Sequence, residues 1–365
     1  MSELLPESEQ DISGKVYIVG AETPIKKEII QFLRSECNLE PISKEIATTW
    51  IRSNAPFDES VLNLIFKHAN IVIFLLTGEE RVCFRPDFDH TPQGASWLQP
   101  TQDQIFEAGY AFGNYHENVF LVRSGEVQPL SDLAGRLLYK FDDPEHRNAL
   151  KNRLKQLATH PHTPGKRERR SPTPPQEEKI GMTDNDDELQ KRKKVFVVFG
   201  HNTFIAYEVR AFLKIIGLLP INWNLALEYA GLVAGPPGKA LQSAFSQTWA
   251  VIVLLTGDDR ILSTNQNNNP VNTPSPTFQP RANVLFEAGM AFGDKKLANR
   301  TIVIEFACDQ LELKENLSNH HRLKLDNSLY QRQEFIHRLR TAGCIIDLHS
   351  QEWHKTGNFY FTYKN

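Results

Sequence analysis

The chain has 365 residues, 40% hydrophobic and 23% charged, with a formal net charge of −3. Those values fit a soluble protein of two domains and give no electrostatic reason to expect a nucleic-acid partner. Cys37, Cys83, Cys308 and Cys344 lack CxxC spacing, the acidic start lacks a signal-peptide core, and no apolar run nears membrane-spanning length. No disulfide framework, metal site or membrane segment is therefore expected, and a cytoplasmic setting is.

Residues 1–14 read as a loose arm. Lys15 to Gly20 is a short buried strand, and Pro24 opens a helix with Ile25, Ile29, Phe32 and Leu33 at helical spacing. Leu39–Ile42 is a second strand, 43–59 a polar loop and 60–69 a helix. Ile71–Leu76 is continuously apolar, as expected of a parallel strand covered on both faces. A long loop from Thr77 ends at a helix carrying Glu107; Val119–Val122 and Leu137–Phe141 are further strands, and Glu145–Leu157 a closing helix. Residues 158–193 are rich in Pro, Ser, Thr and charge and read as a linker, which few contacts should cross. Its Lys166–Arg170 cluster is the composition of a solvated segment. At Lys194 the order restarts: strand to Gly200, helix 204–216, strand 219–221, loop 222–238, helix 239–248, buried strand Ala250–Leu255. A second long loop, a helix bearing Glu287, a strand over 300–304, a helix over 331–341 and an added strand over 344–348 complete it.

The restart is a duplication. Lys194 follows Lys15 by 179 residues, Leu254 follows Leu75 by 179, and Glu287 follows Glu107 by 180. Each half alternates strand and helix, which predicts two three-layer α/β domains with parallel sheets, 1–157 and 194–365. In both copies one glutamate is the sole charge in an apolar run, Gln104–Gly113 and Ala282–Gly293. A lone carboxylate there is either a paired structural acid or a functional group, and its recurrence in one slot favours function.

Ligands of such sheets bind beyond the carboxyl ends of the strands. Three stretches of the second half meet there. Gly200-His201-Asn202 precedes a helix whose first N–H groups suit a phosphate. The loop 223–238 offers Trp223, Glu228 and Gly231 and is long enough to close over a ligand. The third holds Thr256 and Asp258 and leads to Arg281 and Asn283, just before Glu287. Gly235–Ala240 looks like a phosphate loop but lacks its first glycine and its final Ser or Thr. His160/His162 and His320/His321 lack metal-ligand spacing.

The strand ending Gly200-His201-Asn202, the Trp223-to-Gly238 loop, Val253 to Asp259 and Pro280 to Gly293 together resemble bacterial TIR-like (Toll/interleukin-1 receptor-like) domains. The resemblance is greatest to the nucleotide-binding TIR-like effectors of cyclic-nucleotide anti-phage systems. Leu325–Ser328, Arg338–Cys344, Trp353-His354 and, in the first half, Ser131–Arg136 agree with it. It implies flavodoxin-like sheets and an NAD glycohydrolase that cuts the nicotinamide–ribose bond with the glutamate matching Glu287. It further implies activation on homo-oligomer assembly, when the 223–238 loop packs on a neighbour, and a cyclic-nucleotide activator or sensor protein. NAD is then substrate, and no cofactor is implied.

The first half keeps Glu107 but has Thr49, Arg52, Thr101 and Ala21 where the second has Glu228, Gly231, Arg281 and His201, so it reads as a degenerate, regulatory copy. Two rival readings stay open: a non-catalytic nucleotide-binding and sensing module, and a nucleoside deoxyribosyltransferase-like enzyme, whose fold also carries a Phe-Glu-x-Gly helix.

Overall fold

A computed structural model of the chain describes residues 15–42, 69, 71–85, 96–115, 118–127, 138–159, 184–221, 223–231, 237–262, 277–306, 311–314, 317 and 320–362. The first half forms β1 (Lys15–Val19), α1 (Pro24–Phe32), β2 (Glu40–Ile42), β3 (Ile71–Leu76), β4 (Glu80–Phe84), β5 (Ser96–Gln99), α2 (Gln102–Tyr115), β6 (Val119–Arg123), β7 (Leu138–Lys140) and α3 (Pro144–Thr159). The second forms α4 (Asp184–Lys191), β8 (Lys194–Val198), α5 (Thr203–Ile215), β9 (Leu219–Ile221), α6 (Trp223–Tyr229), α7 (Pro237–Gln247) and β10 (Ala250–Leu255). It continues with β11 (Asp259–Leu262), β12 (Thr277–Gln279), α8 (Ala282–Gly293), β13 (Thr301–Phe306), β14 (Leu323–Leu325) and α9 (Leu329–Thr341). The loop expected over 43–59, the helix expected over 60–69 (Ala69 apart) and the segment Ser131–Arg136 lie outside the described residues. So do 160–183 of the expected linker, whose flanks are the helices α3 and α4.

Two five-stranded parallel sheets result, ordered β2-β1-β3-β6-β7 and β9-β8-β10-β13-β14. Both follow the flavodoxin-like order, with the switch between the first and third strands. Side chains alternate along each central strand. Val72, Phe74 and Leu76 turn inward to α2, whereas Ile71, Ile73 and Leu75 join α1 and α3 outside. In the second half Val251, Val253 and Leu255 meet α8 and α7, and Ala250, Ile252 and Leu254 meet α5 and α9. The fifth strand of the second sheet is β14, not the expected 344–348. There Ile345 N donates to Arg192 O (3.2 Å) and Asp347 N to Ile216 O (2.9 Å), which ties the segment to turns rather than to the sheet.

The expectation that few contacts join the halves is overturned. Their inner layers form one continuous apolar core. At its centre α2 and α8 approach through glycines. A Cβ on Gly109 would stand 2.0 Å from Phe286 O, and one on Gly289 would stand 2.1 Å from Phe106 O. Gly113 against Met290 O (2.3 Å) and Gly293 against Tyr110 O (2.2 Å) repeat the relation. These pairs exchange under the 180-residue offset, so the halves are related by an internal pseudo-two-fold.

The two stretches expected as long loops are not loops throughout. Each holds a hairpin, and β4 pairs with β11 in an antiparallel sheet ordered β12-β11-β4-β5. Val82 lies opposite Ile261, its own equivalent at an offset of 179, so the pseudo-axis passes through that pair. Gln102 fastens the same seam: its side-chain nitrogen donates to Gln279 Oε1 (2.9 Å) and Glu312 O (3.1 Å), and its oxygen accepts from Lys314 N (3.3 Å). Strands this short gain stability only when a second half completes their ladder, which explains why local sequence did not show them.

Candidate functional site at the carboxyl edge of the second sheet

β8 and β10 end side by side, and their turns are tied by Asp258. Its side chain is 0% exposed. One oxygen accepts from the Thr256 hydroxyl and the other from His201 N, both at 2.9 Å, and Asn202 N adds a further backbone bond. Asn202 Oδ1 in turn accepts from Ile205 N (3.1 Å) and caps α5. The Gly200-His201-Asn202 turn is thus braced from within. The amide of His201, expected to face a phosphate, is occupied by Asp258. Gly200 makes the brace possible, because a Cβ there would come 1.7 Å from Asp258 Oδ2.

Burial pushes the Asp258 carboxyl up to about 6, against the pull of its hydrogen bonds and of Arg281. Asp259 beside it rises to about 7, again through burial, with Arg281 opposing and the Asp258 charge adding. Arg281 is the N-cap residue of α8 and half-buried. Asn283 is half-buried in the first turn of that helix, and Glu287, also half-buried, lies further along it.

The two glutamates sit in different surroundings. Glu107 is 4% exposed and accepts a hydrogen bond from the Tyr17 hydroxyl at 3.3 Å. Tyr17 pairs with Val72 in β1, and the equivalent pair in β8 is Phe196 with Val251. Phe196 has no hydroxyl to offer Glu287, whose side chain is more exposed than that of Glu107. Comparing the halves at an offset of 179 exposes this Tyr-to-Phe change in the sequence. The first edge also lacks the internal brace. Thr77 donates to Glu79 as Thr256 does to Asp258, yet Glu79 Oε2 has no partner among the described residues. Lys26 instead reaches Gly20 O (3.1 Å) and Glu22.

The 223–238 loop is a helix for its first seven residues. Ala226 is buried and Leu225 and Tyr229 pack on the core, an apolar stripe that outweighs the nearby glycines. Trp223 opens α6, and Gly231, at φ +65°, ends it with its N–H on Glu228 O (2.9 Å). Lys194 Nζ lies 5.3 Å from the Tyr229 ring, which places the end of α6 beside the start of β8. Glu228 and Gly231, both exposed, therefore stand toward the amino ends of the strands. Thr256, Asp258, His201, Asn202 and Arg281 are gathered at the carboxyl edge; Glu228 and Gly231 are not. No group of three or more potential metal ligands occurs among the described residues.

A residue set missed in the sequence comes from the first half. Phe84 and Arg85, at the end of β4, touch His201, Arg281 and the 256–258 turn. Their partners lie 117 or more residues away, so no local signal pointed to them.

A doubly wound sheet with its switch point between the first and third strands defines a flavodoxin-like α/β class. Comparison with family models sharpens this. The model described as "CAP12/Pycsar effector protein, TIR domain" matches residues 15–143 and again 194–326. Those segments cover well over half of the chain, which therefore belongs to this family, with two copies of its domain in tandem. No curated protein matches the chain. Among the described residues no helix is long and apolar enough to cross a membrane.

Proposed function

We propose that the chain is an effector of cyclic-nucleotide anti-phage signalling whose second half hydrolyses NAD at the nicotinamide–ribose bond. The observation that carries this reading is the contrast in burial between the glutamates: Glu107 is buried and bonded by the Tyr17 hydroxyl, whereas Glu287, in the same slot of the second copy, is half-open.

Nicotinamide in NAD is bound as a cationic pyridinium. When its C1′–N bond breaks, the bonding pair goes to nitrogen and neutral nicotinamide leaves, so no general acid is required. The ribose becomes an oxocarbenium ion, which the ionised Glu287 carboxylate stabilises until the oxygen of a water bonds to C1′ and the proton it sheds passes to solvent. Arg281 supplies the fixed cation for the diphosphate, with Asn283 beside it. Asp258 is a brace: it fixes the turn bearing His201 and Asn202 rather than meeting substrate. NAD is substrate, and the reaction uses no further cofactor.

A cyclic nucleotide is the activating partner in this reading, the protein works in the cytoplasm, and activation involves self-assembly through the segment that begins with α6. Incubating the pure protein with NAD, with and without cyclic mono- and dinucleotides, and measuring free nicotinamide tests it. Nicotinamide release that a cyclic nucleotide accelerates is expected. NAD left intact under all conditions, with nucleotide bound, would instead favour a non-catalytic sensing module. Base exchange on a deoxynucleoside would favour transferase chemistry.

A further inference from the structure

Phe84 and Arg85 belong to the first half by sequence and to the second by contact. The Phe84 ring meets the His201 ring edge-on at 5.1 Å, and the Arg281 guanidinium carbon stands 5.0 Å from its centroid. Trp97 of β5 backs Phe84 at 4.7 Å. Arg85 N donates to Asp258 O (2.9 Å) and its Nη1 to Gly257 O (3.4 Å), while its guanidinium covers Phe278 at 3.9 Å. One ring thus touches the His201 imidazole and the Arg281 guanidinium proposed to meet the diphosphate, and the next residue holds the turn that carries Asp258.

The pseudo-two-fold supplies an internal control. The residue equivalent to Phe84 at an offset of 179 is Ser263, which has no ring. The residue equivalent to His201 is Glu22, at the offset of 179 that the helix N-caps Thr23 and Asn202 share, and the residue equivalent to Arg281 is Thr101, at an offset of 180. The aromatic–imidazole–guanidinium set is therefore built once, at the edge of the second sheet, although the β4–β11 ladder is symmetric. A ring kept only for packing the ladder has no reason to be one-sided in this way.

We propose that the first half acts in cis as the partner that completes the second half's site, with Phe84 as the positioning residue that sets the His201 imidazole and the Arg281 guanidinium. This rests on the second half being the NAD site. A guanidinium held against an aromatic ring is restricted before ligand arrives, so less freedom is lost when it meets a diphosphate. The role calls for a ring, not merely an apolar side chain of similar size.

The test compares Phe84→Leu, Phe84→Met and Phe84→Tyr in the full-length protein. KM and kcat for NAD are measured, together with the affinity of ADP-ribose for each variant in a Glu287→Gln background, where no turnover intervenes. Loss of the cation–π and ring contacts should raise KM and weaken ADP-ribose binding about five- to tenfold in the Leu and Met variants, with kcat changed less than about twofold. Phe84→Tyr should restore both to within about twofold of wild type. Leu and Met variants that bind ADP-ribose like wild type, even if less stable, overturn the proposal, as does a Tyr variant no better than Met. Should the Leu variant fail to fold, the Met and Tyr pair decides the question. If wild type neither cleaves NAD nor binds ADP-ribose, the functional reading itself falls and takes this proposal with it. If Glu287→Gln removes turnover while the Phe84 variants bind normally, the proposal falls alone.

Discussion

Gly289→Ala sets two physical effects against each other. In an isolated helix the substitution stabilises by about 1 kcal/mol, because alanine loses less backbone freedom than glycine. In this fold the new Cβ would stand 2.1 Å from Phe106 O and 2.8 Å from Tyr110 N, where 3.4 Å begins ordinary contact. Both neighbours are backbone, so no rotamer change relieves the overlap; α2 and α8 must part by roughly 1 Å across a close-packed layer. Forced overpacking of this kind costs about 3 kcal/mol, leaving a net loss of about 2 kcal/mol. Urea unfolding followed by circular dichroism reads it as a lower midpoint at similar slope. Gly109→Ala should lose a similar amount, since its Cβ would meet Phe286 O at 2.0 Å. A midpoint for Gly289→Ala at or above that of wild type would refute the intimate pairing of the halves.

Tyr17→Phe should cost about 1 kcal/mol of stability through the lost bond to Glu107, yet leave NAD turnover unchanged; a large fall in turnover would return Glu107 to the active chemistry. Gln102→Ala, which removes bonds to Gln279 and to the Glu312 and Lys314 main chain, should lower the urea midpoint by about 1–3 kcal/mol equivalent, and an unchanged midpoint would deny that seam a role. Burial raises the Glu80 carboxyl to about 7, with Lys314 opposing. A carboxyl raised on folding favours the fold below its unfolded value of about 4 and loses that contribution as pH climbs toward 7. Glu80→Gln should therefore raise the urea midpoint at pH 8 but not at pH 4, and an equal effect at both would exclude titration as the cause.

The elements whose own residues determine them were legible in the sequence. β3 and β10 are continuously apolar because both faces are covered, and the even spacing of the halves gave the duplication that the family match repeats. What escaped depends on residues far apart in the chain. The glycines of α2 and α8 looked like the small residues of any buried helix until the opposing carbonyls appeared. β4 and β11 are too short to announce themselves without each other. The glycines after α6 concealed an apolar stripe, and Gly231 proved to be that helix's stop. At the site, Asp258 was legible as polar but not as the brace that occupies the His201 amide. Phe84 could not be placed at all, because its position follows from the pseudo-two-fold and not from its neighbours.

The division of labour between the halves meets its most direct test in one rate. NAD turnover is measured for Glu287→Gln protein with Glu107 intact, beside Glu107→Gln protein with Glu287 intact. The rate of the first should fall at least about a hundredfold, as when a principal electrostatic group is lost, and that of the second should stay near wild type. A Glu287→Gln protein that retains about half of wild-type turnover would mean that both edges work, and would contradict that division.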